Sequence, residues 1–128
     1  MITTAKLQKT VVGALEDIKA REIEVLDVRH ITSLFDRVVI ASADSGRQLK
    51  ALASNVQAKV KAAGGVIISV EGLNSDEWVL VDAGEIVVHI MQPVIRAHYN
   101  LEELWNQPKP RKPRKPGESR AKPAPADN

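Results

Sequence analysis

The sequence predicts an α/β domain with a mixed β-sheet of about five strands flanked by helices. Three observations predict it. Two segments show apolar residues at helical spacing, about five short β-branched runs stand between turn residues, and the two kinds of segment alternate without an internal repeat. Residues 1–107 hold this domain, and residues 108–128 are expected to form a disordered basic tail rich in Pro, Lys and Arg.

Leu7, Val11, Ala14, Leu15 and Ile18 recur at helical spacing, so residues 4–20 read as an amphipathic helix. Ile23 to Val28 is short and β-branched, which suits a strand. A second strand, Val38 to Ser42, leads into Ser45-Gly46-Arg47-Gln48, where Ser45 and Gln48 have capping-box spacing. Behind that cap Leu49, Leu52, Ala53, Val56 and Val60 make the apolar stripe of a second helix, and Gly64-Gly65 stops it. Val66 to Val70 is the next strand. Trp78 to Val81 and Ile86 to Met91 flank Asp82-Ala83-Gly84-Glu85 and form an antiparallel hairpin. A short helical segment follows Pro93 and ends in LEELW.

The hairpin is the most informative segment, because side chains alternate along a strand. A two- or four-residue loop pairs Val81 with Ile86, Val79 with Val88 and Trp78 with His89. One face then carries Val79, Val81, Ile86, Val88 and Ile90, all aliphatic. The other carries Trp78, Leu80, Asp82, Glu85, Val87, His89 and Met91, a composition closer to a contact surface than to a buried layer. A three-residue loop would reverse the parity. Two helices shield one face of such a sheet, so the Trp78 face is left for a partner, or for a C-terminal segment bearing Tyr99, Leu101 and Trp105 that folds back over it.

The formal charge of +2 divides unevenly, since residues 108–128 hold seven Lys/Arg and two acids, which leaves the domain at −3 and the tail at +5. The sequence pI near 9.0 therefore describes the tail, and the domain lacks the basic composition of a nucleic-acid binder. About a hundred residues bury roughly 60 to 70% of their unfolded surface, enough for a modest core. The chain has no cysteine, which excludes thiolate catalysis, a cysteine zinc site and disulfides. With no export signal and nothing near the roughly 18 apolar residues of a membrane span, a cytoplasmic location and no membrane contact are expected.

Each enzymatic reading lacks a partner residue. His30, His89 and His98 have no compact ligand spacing, so no metal site is expected, and His89 reads as a half-exposed strand residue beside Trp78. Ser42-Ala43-Asp44-Ser45-Gly46 could offer backbone N–H groups to an anion, but it lacks the lysine-bearing loop of a nucleotide cradle, and helix capping accounts for it. No Asp-x-Asp occurs; Asp27, Asp36 and Asp82 are the carboxylates to weigh, and a nucleotidyltransferase-like enzyme using Asp27 or Asp82 with a metal is the alternative reading. Of four aromatic residues, Trp78, Tyr99 and Trp105 lie in the last quarter of the domain among Glu71, Asp76, Glu77, Asp82, Glu85, Glu102 and Glu103. Those acids repel phosphate, so a protein surface is the better partner. Arg96 is the base placed to pair with these acids inside the domain.

LDV at Leu26 to Val28, Asp36, VIAS at Val39 to Ser42, SGRQ at Ser45 to Gln48, Glu71-Gly72, EWVLVD at Glu77 to Asp82, GEIVVHIM at Gly84 to Met91, Arg96, Tyr99 and LEELW occur in order. Together they resemble the ribosomal silencing factor family, RsfS or Iojap, over roughly residues 4–106. Arg37 departs from the pattern, which often has an aromatic or apolar residue there, and the tail lies outside it. The resemblance implies a nucleotidyltransferase-like topology without the catalytic carboxylates, no enzymatic activity and no cofactor. It implies binding to the large ribosomal subunit through its ribosomal protein number fourteen. The bound protein then sterically blocks joining of the small subunit and represses translation in starvation or stationary phase. Carried over to this chain, the partner-binding residues are Trp78, Leu80, His89, Met91, Arg96, Tyr99 and Leu101. The family also forms homodimers through a related surface, and the basic tail is expected to add a weak contact to ribosomal RNA.

Overall fold

Thr3 and Ser45 start the two long helices that the apolar spacing predicts. The Thr3 side chain accepts from the Lys6 N–H, and the Ser45 side chain accepts from the Gln48 N–H. In the computed structural model, which describes residues 2–105, the element order is α1 (Thr4–Asp17), β1 (Arg21–Asp27), β2 (Arg37–Ser42), α2 (Gly46–Ala62), β3 (Ser69–Glu71), β4 (Trp78–Asp82), β5 (Ile86–Met91), α3 (Pro93–Tyr99) and α4 (Leu101–Trp105). The expected tail from residue 108 lies outside the described residues. α1 stops three residues before the sequence reading because Lys19 takes a left-handed φ of 65°. Its last carbonyls are then satisfied from α2: Gln48 Nε2 donates to Ile18 O and Lys19 O, and Asn55 Nδ2 donates to Ala14 O.

The strands form one mixed sheet in the order β1-β2-β5-β4-β3, with β2 and β5 parallel and the other pairs antiparallel. α1 and α2 pack on one face, where Val11, Leu15, Leu49, Leu52, Val56, Val79, Val81, Ile86, Val88 and Ile90 are fully buried. A smaller cluster of Leu26, Val28, Val38, Ile40 and Met91 lies on the other face, with Phe35, Trp78, Ile95 and Leu101 packed against it.

The hairpin keeps the expected faces but not the expected register. β4 pairs Trp78 with Met91, Val79 with Ile90, Leu80 with His89 and Val81 with Val88, two residues away from the sequence reading. The cause is a two-residue loop. Ala83 N–H donates to Ile86 O, so only Gly84-Glu85 turn the chain, and Gly84 has the positive φ of 91° that a glycine-first hairpin loop needs. A shift of two leaves parity intact. Glu85, expected on the Trp78 face, instead sits in the loop and accepts a hydrogen bond from Thr4 Oγ1 on α1.

The strand read from Val66 to Val70 is ordered as a strand over Ser69–Glu71, because Ser69 already lies opposite Asp82 and β4 ends there in the hairpin turn. Val66 and Ile67 overhang the sheet.

Gly72 carries the tightest backbone constraint. Its φ is 90°, and a Cβ there would stand 2.3 Å from Trp78 O. Gly72→Ala should lower stability by about 2 kcal/mol in chemical denaturation, from left-handed strain and the displaced β4 backbone. Gly13→Ala in α1, where an added Cβ meets nothing within 4 Å, should raise it by about 0.5–1 kcal/mol. Equal effects at the two sites would refute this account.

Candidate functional site

β4 and β5 place Trp78, Leu80 and His89 on the sheet face opposite the long helices, and all three are half-buried. Leu80 and His89 are direct cross-strand partners; Trp78 lies diagonally from His89. Trp78 Nε1 donates to His89 Nδ1 at 3.0 Å, with the rings 5.8 Å apart. Tyr99 from α3 packs on the other side of the indole, ring centroids 5.0 Å apart, and His98 meets Tyr99 edge-on at 4.8 Å. The indole is thus held between two elements, while Tyr99 itself stays 53% exposed.

The C-terminal segment therefore covers the face only in part. Ile95 and Leu101 pack against the smaller cluster, and Tyr99 lies beside Trp78, yet Val94 and Leu104 on the same two short helices are 78% and 52% exposed. The side chain of Trp105 lies outside the described set. Pro93 begins α3, and Asn100, at φ 48° and ψ 57°, ends it in a left-handed turn from which α4 starts.

Two of the predicted contact residues lie beneath the surface. Met91 is fully buried, because β5 is flanked by β2 and β4 and covered there by the C-terminal segment. Arg96 is 6% exposed; its guanidinium donates from Nε to Glu102 Oε2 and from Nη1 to Ser42 Oγ, at 2.7 and 2.8 Å. The pairing of Arg96 with a nearby acid is as the sequence suggests, but its burial removes it from direct contact. Both residues position the exposed ones. Sequence reasoning missed Val94, His98 and Leu104; once Pro93 fixes the phase of α3, Val94 and His98 fall one turn apart on its outer side.

The rim is acidic. Glu71, Asp76, Glu77 and Glu103 are exposed, and among the described residues Glu71 and Glu77 make no ion pair. The carboxylates weighed for chemistry do not converge. Asp27 is on β1 and Asp82 on β4, three strand spacings or roughly 14 Å apart. Asp27 is gripped by Arg29 and faces Arg37 at 3.6 Å, which holds its carboxyl well below the usual range; Asp82 Oδ1 accepts from Gly84 N–H. Arg37, the departure from the family pattern, is thus the cross-strand partner of Asp27. At the start of α2 a Cβ on Gly46 would lie 2.7 Å from the Asp76 carboxyl, so this protein's own carboxylate stands where an anion would bind.

A family described as "Ribosomal silencing factor during starvation" matches residues 2–128. The chain is 51% identical over 105 residues to the ribosomal silencing factor RsfS of Chromobacterium violaceum, covering 82% of this chain and 86% of that protein. A crystal structure from Chromobacterium violaceum superposes with a TM-score of 0.81 at 50% identity, covering 85% of this chain and 91% of that one. The mouse protein named mitochondrial assembly of ribosomal large subunit protein 1 is 34% identical over 97 residues, which is 73% of this chain and 42% of that protein.

Burial pushes the His89 imidazole down to about 4, against 6.5 for a free histidine. The native state then binds fewer protons than the unfolded state between those values. His89's contribution to stability is complete above pH 6.5 and falls as pH drops toward 4, by at most about 1.4 kcal/mol per pH unit. His89→Asn keeps an acceptor for the indole N–H but cannot titrate. The stability of wild type relative to this variant should decline through that window in urea titrations; a constant difference would refute the assignment.

Proposed function

The chain belongs to the ribosomal silencing factor family, and we propose that it silences by occupancy, docking its Trp78 face on ribosomal protein number fourteen of the large subunit. Its bulk then keeps the small subunit from joining, which lowers translation in starvation or stationary phase. No bond is broken in this reading, and the protein works in the cytoplasm among the ribosomes. The observation that carries it is a half-buried Trp78, buttressed by His89 and Tyr99, on the sheet face that the long helices leave open.

Within this reading Trp78 is the anchor. Leu80, His89, Tyr99 and Leu101 surround it, with Val94 and Leu104 on the adjoining helices, while Met91 and Arg96 hold the surface from behind. Such a pattern, an aromatic centre inside a polar rim, is that of a protein-binding hot spot. Glu71 and Glu77 suit a partner whose rim is basic, and complementary charge would speed and orient docking. The tail, with seven Lys/Arg against two acids, adds a second attraction, toward ribosomal RNA.

Trp78→Ala should weaken binding to isolated large subunits roughly 30-fold, the equivalent of about 2 kcal/mol, with the circular dichroism spectrum retained. Tyr99→Ala, at a residue 53% exposed, should weaken it in the same direction without a stability penalty. Wild-type affinity in both folded variants would exclude this face as the docking site. Removing residues 108–128 should reduce affinity at low salt and flatten the dependence of log Kd on log salt; an unchanged slope would remove the tail from the interaction.

A further inference from the structure

The two edges of the sheet are treated differently by the sequence. β1 exposes Arg21, Glu22 and Glu24 and bulges between Arg21 and Glu24, with Glu22 at a φ of 50°. Charge and a bulge are the usual means of keeping a free edge from pairing with another chain. The β3 edge has neither. Residues 62–70 carry no charge, and Val66 and Ile68 are 68% and 64% exposed.

Main-chain geometry leaves this edge open. Ile68 N–H donates inward to Asp82 O at 2.7 Å, so by alternation the main-chain groups of Ile67 and Ser69 point away from β4. Exposure alternates from Val66 to Ser69, as in an extended segment that overhangs its own sheet.

We propose that a second copy of this chain adds here, the two Val66–Val70 segments pairing antiparallel about a two-fold axis at Ile68. The segment is self-complementary in that register. Ile68 meets Ile68, Val66 meets Val70, and the outward groups of Ile67 face those of Ser69. Glu71 falls opposite Gly65, at the Lys61 end of the partner's α2, so no like charges oppose each other. The contact is isologous and closes after two copies. It goes beyond ribosome docking, does not depend on it, and uses an edge distinct from the Trp78 face, which stays available in the dimer. A pairing this short is small beside a standard interface of about 1,600 Å², so the dimer is weak, with Kd on the order of 100 µM.

The test is sedimentation equilibrium of the full chain and of two variants, Ile68→Lys and Ile68→Glu, with circular dichroism as the folding control. Because Ile68 lies on the axis, each variant alone sets like charges against each other and should raise the dimer Kd at least roughly tenfold. An equimolar mixture of the two should regain association as a mixed dimer. Trp78→Ala should dimerise like wild type, and Ile68→Lys should bind large subunits like wild type, so failure of this proposal is separable from failure of the docking reading. A monomeric wild type at millimolar concentration, dimers that persist in Ile68→Lys, or loss of dimer in Trp78→Ala but not in Ile68→Lys would each overturn it.

Discussion

Parity along the β4–β5 hairpin is the constraint on which the rest of the structure depends. A one-residue slip would turn Val79, Val81, Val88 and Ile90 out of the helix-covered core and put Trp78 and His89 in their place. The two-residue Gly84-Glu85 loop prevents it, and the register it sets is carried into β2, where Val39 pairs with Val88 and Ala41 with Ile90 on the same buried face. α1 and α2 can then seal only that face. Because they are locked to each other by Gln48 and Asn55, they do not move to cover the second.

The second face needs a different solution, and a buried arginine provides it. Taking a guanidinium out of water costs several kcal/mol unless its donors are met, and removing one partner of such a pair is worse than never having it. Arg96 meets Glu102 from α4 and Ser42 from β2, so three elements are tied at one point. The left-handed Asn100 lets the chain reverse between Arg96 and Glu102. α3 is thereby fixed with Tyr99 against Trp78, and α4 with Leu101 against the smaller cluster.

Much of this is legible from residue spacing, and the exceptions have physical causes. Both long helices, the two central strands and the division of the hairpin into an aliphatic and an aromatic face follow from periodicities of 3.6 and 2. The register does not, because a shift of two residues preserves alternation; only the count of loop residues distinguishes the alternatives, and Gly84 was the clue to the shorter loop. The length of β3 depends on where β4 ends, which no local propensity in Val66–Val70 encodes. The burial of Met91 and Arg96 depends on how two short helices dock, a tertiary matter that one turn of apolar spacing cannot specify. The family resemblance supplied contact residues without saying which of them are exposed.

Half-burial of Trp78 is what suits it to docking. A fully exposed indole would lose side-chain freedom on binding, and a fully buried one would have no surface to offer. Here the ring is already restrained by the His89 acceptor and the Tyr99 ring, so part of the ordering cost falls on folding rather than on association. Trp78 Nε1 also has its partner within the domain, which spares the interface an unsatisfied donor when water leaves. A neutral His89 is required for that bond, since a protonated Nδ1 would present a donor to a donor. The same burial that lowers its pKa therefore keeps the anchor in its docking geometry at neutral pH.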